Sequence, residues 1–176
     1  MPETLYPDDF SEYLIGENYP LLKADSSASN SAAALRLISQ ARRTIDIFTH
    51  NLDPRILDTP EISSAVSDFV KISANSRLRI LICDPGMIVK RGHRFIELSR
   101  KYSSYITFRK TNDEFLETPY SFLTVDSTGL LYRPHDYEYN AIVDFNAKKA
   151  CQQHHEFFTD VWELSEPVSE LRQLYL

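Results

Sequence analysis

The chain has 176 residues and a formal net charge of −6, a length that fits one domain. Its hydrophobic fraction of 43% excludes wholesale disorder. No apolar run approaches the roughly 18 residues of a membrane span, and the N-terminus lacks the features of a signal peptide, so we expect a cytoplasmic protein without membrane contact. The two cysteines and four glycines lack the spacing of a zinc site, a disulfide framework or a nucleotide loop, so we predict no cofactor and no metal.

Charge is segregated along the chain. Residues 1–30 contain one basic and six acidic residues. Residues 31–110 contain fourteen basic and seven acidic residues, and residues 111–176 contain four basic and twelve acidic residues. The basic middle favours a small anionic ligand as a partner, whereas the overall acidity argues against nucleic acid.

The first thirty residues form an acidic and aromatic segment that ends in a run of small residues. We predict that the apolar side chains between residues 6 and 22 pack on the domain or on a partner, and that residues 24–31 are a linker. After this segment we predict an α/β domain over residues 31–176.

The rest of the chain alternates helical and strand patterns. A helix is predicted from an N-cap at Asn30 or Ser31, and a second from the Thr59 cap and Pro60. Lys90 to Arg94 is predicted to be a basic loop, and the last long helix begins near Ala147. Strands are predicted over Thr44–Thr49, Arg77–Cys83, Tyr105–Lys110, Tyr120–Val125, Gly129–Arg133 and Asn140–Phe145. The order predicts a mixed β-sheet with helices on both faces.

Several of these segments resemble the phospholipase D-like superfamily, in which each half-molecule carries one H-x-K-x4-D motif. Residues 121–126, Ser-Phe-Leu-Thr-Val-Asp, resemble the strand that carries the motif, and residues 157–162, Phe-Phe-Thr-Asp-Val-Trp, resemble the closing helix of a half. The short motifs Leu52-Asp53-Pro54, Asp84-Pro85, Gly92-His93-Arg94 and Tyr132-Arg133-Pro134 resemble an uncharacterised bacterial subgroup sometimes found behind acetyltransferase-like domains. The resemblance implies a phospholipase D-like half. It favours a homodimer, because single halves usually pair with copies of themselves; alternatively, the aromatic N-terminal segment covers that face.

The catalytic motif is degenerate when it is carried over by position. Its His falls on Pro119, its Lys on Ser121, and only its Asp survives, as Asp126. In active relatives, the resemblance implies, the His attacks phosphorus and the Lys neutralises the phosphate oxygens. Proline cannot act as a nucleophile, so the favoured hypothesis is a non-catalytic ligand-binding or interaction module, possible ligands being those that carry a phosphate or a carboxylate.

Two sets of polar residues stay open as candidate sites. The competing hypothesis is an enzyme with a relocated active site around His50, Asp53, Asp84 and His93, although the acidic residues equally suit caps and turns. For anion binding the candidates lie at a predicted helix start, after the first predicted strand, and at the far end of the region that resembles the motif: Lys90, Arg91, Gly92, His93, Arg94, Arg55, Tyr132, Arg133 and His135. Alternatively, Arg94 pairs with a carboxylate from the acidic last third of the chain.

Overall fold

A computed structural model describes residues 3–171 as one nine-stranded mixed sheet flanked by helices. The strands are β1 Thr4–Leu5, β2 Leu21–Ala24, β3 Thr44–Thr49, β4 Arg77–Ile82, β5 Ile106–Lys110, β6 Ser121–Val125, β7 Gly129–Arg133, β8 Ala141–Asp144 and β9 Glu166–Pro167. The helices are α1 Ser27–Ser39, α2 Pro54–Leu57, α3 Pro60–Val70, α4 Gly86–Arg91, α5 Arg94–Lys101 and α6 Lys148–Glu163, with short 3-10 turns at Asp113–Phe115 and Ser169–Leu171.

The sheet has the order β1-β2-β8-β7-β6-β3-β4-β5-β9. Strands β3, β4 and β5 are parallel, whereas β6, β7 and β8 are antiparallel to their neighbours. Parallel pairing follows from the helical crossovers between β3, β4 and β5, and antiparallel pairing follows from the short connections after β6. The predicted mixed sheet is therefore confirmed.

Alternation along each strand divides the core into two layers. Ile45 and Ile47 of β3 belong to a large apolar cluster with α1, α2, α3 and α5, whereas Phe48 belongs to a second cluster with α6. Because neighbouring side chains of a strand point to opposite faces, both faces of the sheet are covered by helices, as predicted.

The N-terminal segment is integrated into the domain, and the predicted linker is wrong. Strand β2 pairs with β8, and Phe10 is only 1% exposed, so the segment packs on its own domain. Helix α1 begins at Ser27, and its N-cap Ser26 lies four or five residues before the two predicted caps, because Ser26 and Ser29 form a reciprocal capping box. Asn30, one of the predicted caps, instead donates from Nδ2 to the carbonyls of Ser26 and Tyr139.

The predicted basic loop is also largely helical. Lys90 and Arg91 form the last turn of α4, which places their cations at a helix C-terminus. Gly92 follows with φ of +79°, and His93 is the N-cap of α5. Only Gly92 and His93 therefore lie between two helices, and the turn needs the conformational freedom of glycine.

No helix within residues 3–171 is long and apolar enough to cross a membrane.

Candidate functional site

The candidate site lies at the edge of the sheet where β3 and β4 end. Ser121 begins β6 and pairs with Arg133 at the end of β7, and β6 pairs with β3 so that Phe48 lies opposite Phe122. The register therefore brings Thr49, Ser121 and Arg133 to one edge. This is the edge at which open α/β sheets bind ligands.

A small cavity of about 30 Å³ lies at this edge, which is room for about one or two water molecules. Its polar lining consists of Thr49, Asp53, Ser121 and Arg133, and its apolar lining comes from β3, α2, β6 and β7. Ligand pockets for small molecules typically have volumes of about 300–1,000 Å³. The cavity is therefore much smaller than a typical small-molecule pocket.

Arg133, the last residue of β7, lines the cavity and holds the β7–β8 loop. The residue is only 6% exposed. Its Nε and Nη2 donate to the carbonyl of Glu138 at 3.0 and 2.8 Å, and Nη2 also donates to the carbonyl of Asp136. Its guanidinium lies 5.4 Å from the ring centroid of Tyr139. Arg133 thus holds the loop that follows it, a role that its position at the end of a strand did not indicate.

Asp53 joins the loop after β3 to the same β7–β8 loop. Its Oδ1 accepts the backbone N–H of Arg55 at 2.9 Å, and its Oδ2 accepts the hydroxyl of Tyr139 at 2.9 Å. Arg55 Nη1 lies 3.5 Å from the same hydroxyl. Both carboxylate oxygens of Asp53 are occupied, and Tyr139, which the sequence did not single out, connects Asp53, Arg55 and Arg133.

Asp126, the residue at the position of the Asp in the resembled motif, makes structural hydrogen bonds. Asp126 accepts the backbone N–H groups of Arg42, Arg43 and Thr44 at 2.8–2.9 Å. The carbonyl of Pro119 accepts the N–H of Asp136 at 2.7 Å. Asp126 directly follows β6, whereas Ser121 begins that strand. Asp126 therefore holds the start of β3 in place and does not line the cavity.

The residues proposed for a relocated active site make hydrogen bonds in separate turns and caps. Asp84 Oδ1 accepts the N–H of Gly86 at 2.9 Å, and the N–H of Asp84 donates to the carbonyl of His50 at 2.7 Å. His93 Nδ1 accepts the N–H of Phe95 at 3.1 Å as an N-cap. Of the four residues in that hypothesis, only Asp53 lines the cavity.

The segment predicted to bind a free anion already contains a carboxylate. Asp58 Oδ1 accepts both the backbone N–H and Nη1 of Arg94, each at 3.0 Å. Burial alone would raise the pKa of Asp58, but the two donors from Arg94 outweigh it and hold the pKa below its ordinary value. Arg94 is therefore paired, as the alternative proposed, although its partner comes from the segment between α2 and α3 and not from the last third of the chain.

His93 is buried beside this pair. Desolvation lowers its pKa to about 4, against 6.5 for an ordinary histidine, so the ring is neutral at pH 7. Its Nε2 has no hydrogen-bond partner among residues 3–171. Lys90 and Arg91 are exposed, and binding of a free anion to this segment stays a prediction.

The remaining predicted residues do not reach the cavity. Tyr132 points to the other face of the sheet, where its ring lies 5.3 Å from that of His154 on α6. His135 is exposed and lies 5.5 Å from the ring of Tyr137. Alternation explains the difference, because Tyr132 and Arg133 are neighbours on one strand.

Comparison with known proteins identifies a family and a fold. Residues 26–174 match the family described as "Domain of unknown function (DUF7931)". No curated protein is similar enough to the chain to count as a match.

Solved structures with the same fold include phospholipase D relatives. The phospholipase D family member Nuc from Salmonella typhimurium has a TM-score of 0.55 at 17% identity, over 76% of this chain and 87% of Nuc. TrmBL2, an archaeal chromatin protein whose structure shows a novel mode of DNA binding, has a TM-score of 0.62 at 13% identity, over 84% and 53%. Phosphatidylserine synthase from Haemophilus influenzae Rd KW20 has a TM-score of 0.59 at 11% identity, over 89% and 41%. The chain thus has a phospholipase D-like fold, and it spans about half the length of TrmBL2.

Proposed function

The chain belongs to the family described as a domain of unknown function, DUF7931, and from its phospholipase D-like fold we propose that it is a non-catalytic interaction module. The observation that carries this proposal is the buried guanidinium of Arg133, which fills the sheet edge beside Ser121 and leaves a cavity of only about 30 Å³.

The chemistry of the lining supports the same proposal. A phosphodiesterase of the resembled kind needs a nucleophile and a cation facing the phosphate. At the corresponding positions stand Pro119 and Ser121, which supply neither. Arg133 donates to loop carbonyls and Asp53 accepts from Tyr139, so the polar groups of the edge satisfy one another. Loss of a nucleophile that acts together with its partners removes several orders of magnitude in rate.

The proposal is tested with a phosphodiesterase assay on the full chain with bis(p-nitrophenyl) phosphate. We expect no turnover by the unaltered protein, by Asp53→Asn or by His93→Ala. Each variant is compared by circular dichroism, so that loss of fold is separated from loss of activity. Turnover that disappears in either variant while the fold is retained contradicts the proposal and favours the relocated enzyme.

A further inference from the structure

The fold collects five exposed cations at the edge of the sheet opposite the candidate site. They stand around the starts of the parallel strands β3, β4 and β5, and they are Arg42, Arg43, Lys71, Arg77 and Lys101. We call this set the basic rim. We propose that the basic rim binds the phosphate backbone of nucleic acid without sequence preference.

Strand pairing brings the members of the rim together from distant segments. The N–H of Arg77 donates to the carbonyl of Arg43 at 3.0 Å, and the N–H of Leu78 donates to the carbonyl of Tyr105 at 2.8 Å. Neighbouring strands are about 4.8 Å apart. Arg43, Arg77 and Tyr105 are therefore side by side at the starts of three adjacent strands.

The cations of the rim are available to a ligand. None of the five forms a salt bridge within the described part of the chain. Three carboxylates offset part of the charge. Asp126 lies beside Arg42 and Arg43 and accepts their backbone N–H groups. Asp68 lies three residues before Lys71 on α3, and Glu97 four residues before Lys101 on α5, and residues at these spacings are neighbours on a helix. The rim retains a positive excess.

Favourable placement of cations at helix C-termini accounts for only two of the five rim residues. Lys71 and Lys101 lie at the C-termini of α3 and α5, where cations are favourable for the helix itself. Arg42, Arg43 and Arg77 lie outside the helices. Arg77 is held in place, since Nη1 donates to the carbonyls of Ala74 and Ser76 at 2.9 and 2.7 Å.

The residues between the cations favour a phosphodiester over a lipid surface. The rim loops expose Asn75, Ser103 and Ser104, and amide and hydroxyl groups commonly donate to nucleic-acid phosphates. Three of the five cations are arginines, whose guanidinium can bind phosphate oxygens in pairs. The rim exposes one large aliphatic side chain, Ile72, whereas surface binding to a bilayer uses a broad apolar face.

Sequence composition argued against nucleic acid because the chain is acidic overall. The rim is nonetheless a local excess of cations, because the fold brings together five basic residues from the basic middle of the chain, residues 31–110. The inference names a partner for the interaction module and rests on that proposed function, although binding at the rim is measured independently of catalysis.

The test is fluorescence anisotropy of the full chain with labelled 20-nucleotide DNA and RNA, single-stranded and duplex. We expect a Kd of about 1–100 µM at 50 mM salt that weakens steeply with salt, as phosphate-backbone binding does. Arg42→Gln/Arg43→Gln should weaken duplex binding and reduce the slope of log Kd against log salt by about 2, since each phosphate contact contributes about 0.9. Lys110→Gln is the control, because it removes an exposed cation from the opposite end of β5, and it should change neither quantity.

Three results overturn the inference. The first is no binding at 50 mM salt with up to 100 µM protein, roughly the weak end of non-specific affinity. The second is weakening by Lys110→Gln as large as that by Arg42→Gln/Arg43→Gln. The third is equally tight binding to polyglutamate, or to vesicles containing phosphatidylserine, that also depends on the rim cations. Turnover in the phosphodiesterase assay contradicts the proposed function and leaves rim binding standing, so the two failures are distinguishable.

Discussion

Arg79 of β4 and Asp46 of β3 form a bidentate ion pair beneath helix α6. Arg79 Nε donates to Asp46 Oδ1 and Nη2 donates to Oδ2, each at 2.9 Å. The guanidinium also lies 4.8 Å from the ring centroid of Phe158 and 5.4 Å from that of Trp162. The two charges thus neutralise each other beneath two aromatic rings of α6, and the stacking of the guanidinium on these rings links the sheet to α6.

Asp46→Ala should lower the free energy of unfolding by about 2–3 kcal/mol, because it leaves a largely covered guanidinium without its partner. The Asp46 side chain is 8% exposed and that of Arg79 is 26% exposed, which places the effect toward the low end for buried pairs. Urea unfolding measures it. Asp46→Leu/Arg79→Met should cost less than Asp46→Ala, since no charge is left unpaired. Asp68→Ala, an exposed control, should have an effect of less than about 0.5 kcal/mol.

The same ion pair shows which parts of the fold the sequence predicts and which it does not. Alternation in Ile45-Asp46-Ile47 and Leu78-Arg79-Ile80 assigns both strands and puts the two charged side chains on the faces opposite the isoleucines. That Asp46 lies opposite Arg79 depends on the register between strands, which no local pattern encodes. Strand positions were therefore predictable, and the ion pair was not.

The candidate site was predictable as an edge but not as a set of contacts. The residues after β3 and β4 were correctly singled out as following strand ends. The partners of Asp58 and Asp53, which are Arg94 and Tyr139, lie 36 and 86 residues away in the sequence. The start of α1 was missed for another reason: four serines between residues 26 and 31 are each suitable caps, and the side chain of Asn30 is hydrogen-bonded to the carbonyl of Tyr139, a partner that no local pattern indicates.

The turn between β6 and β7 should gain stability from glycine. Asp126 and Ser127 have φ of +51° and +55°, a conformation that favours glycine. Ser127 is exposed, so Ser127→Gly should raise the free energy of unfolding by about 0.5–1 kcal/mol through relief of strain. Ser127→Ala keeps the strain and should give no gain in the same urea titration. A gain from alanine equal to that from glycine would contradict this explanation.

Phosphate binding at the start of α5 should be limited by Asp58. In the unaltered protein this carboxylate accepts both donors from Arg94, so an added anion meets an occupied and negatively charged site. Asp58→Asn removes the charge and should tighten phosphate binding by at least about tenfold, which corresponds to about 1.4 kcal/mol. Amide NMR titration at Gly92, His93 and Arg94 measures it. Equal shifts in both proteins would show that Asp58 does not compete.

The predicted homodimer is tested by light scattering at micromolar concentration. The resemblance to single-half phospholipase D-like proteins predicts twice the monomer mass of 20.4 kDa. A closed two-fold dimer uses the same patch on both copies, so its mass should not grow further with concentration. A mass of one chain across the concentration range contradicts the dimer and leaves the interaction-module proposal untouched.

Stability should fall between pH 6.5 and pH 4 because of His93. Its pKa is about 4 in the folded protein, against 6.5 for an ordinary histidine. Within that window the unfolded chain binds the proton and the folded chain does not, so the free energy of unfolding rises with pH. The groups that face the ring are Asp58 and Arg94, and the pKa of Asp58 lies below the window. The lowered pKa of His93 corresponds to a loss of roughly 3 kcal/mol in the free energy of unfolding across this window, since each unit of pKa difference contributes about 1.4 kcal/mol.

Urea midpoints at pH 4.5 and pH 7 separate this effect from a general loss at low pH. His93→Asn keeps a capping side chain at the start of α5 and removes the titrating ring. The variant should be less stable at pH 7, because it loses the buried ring, but its midpoint should change less between the two pH values. If the unaltered protein and His93→Asn lose stability in parallel, other groups carry the acid sensitivity and the neutral state of His93 contributes nothing to it.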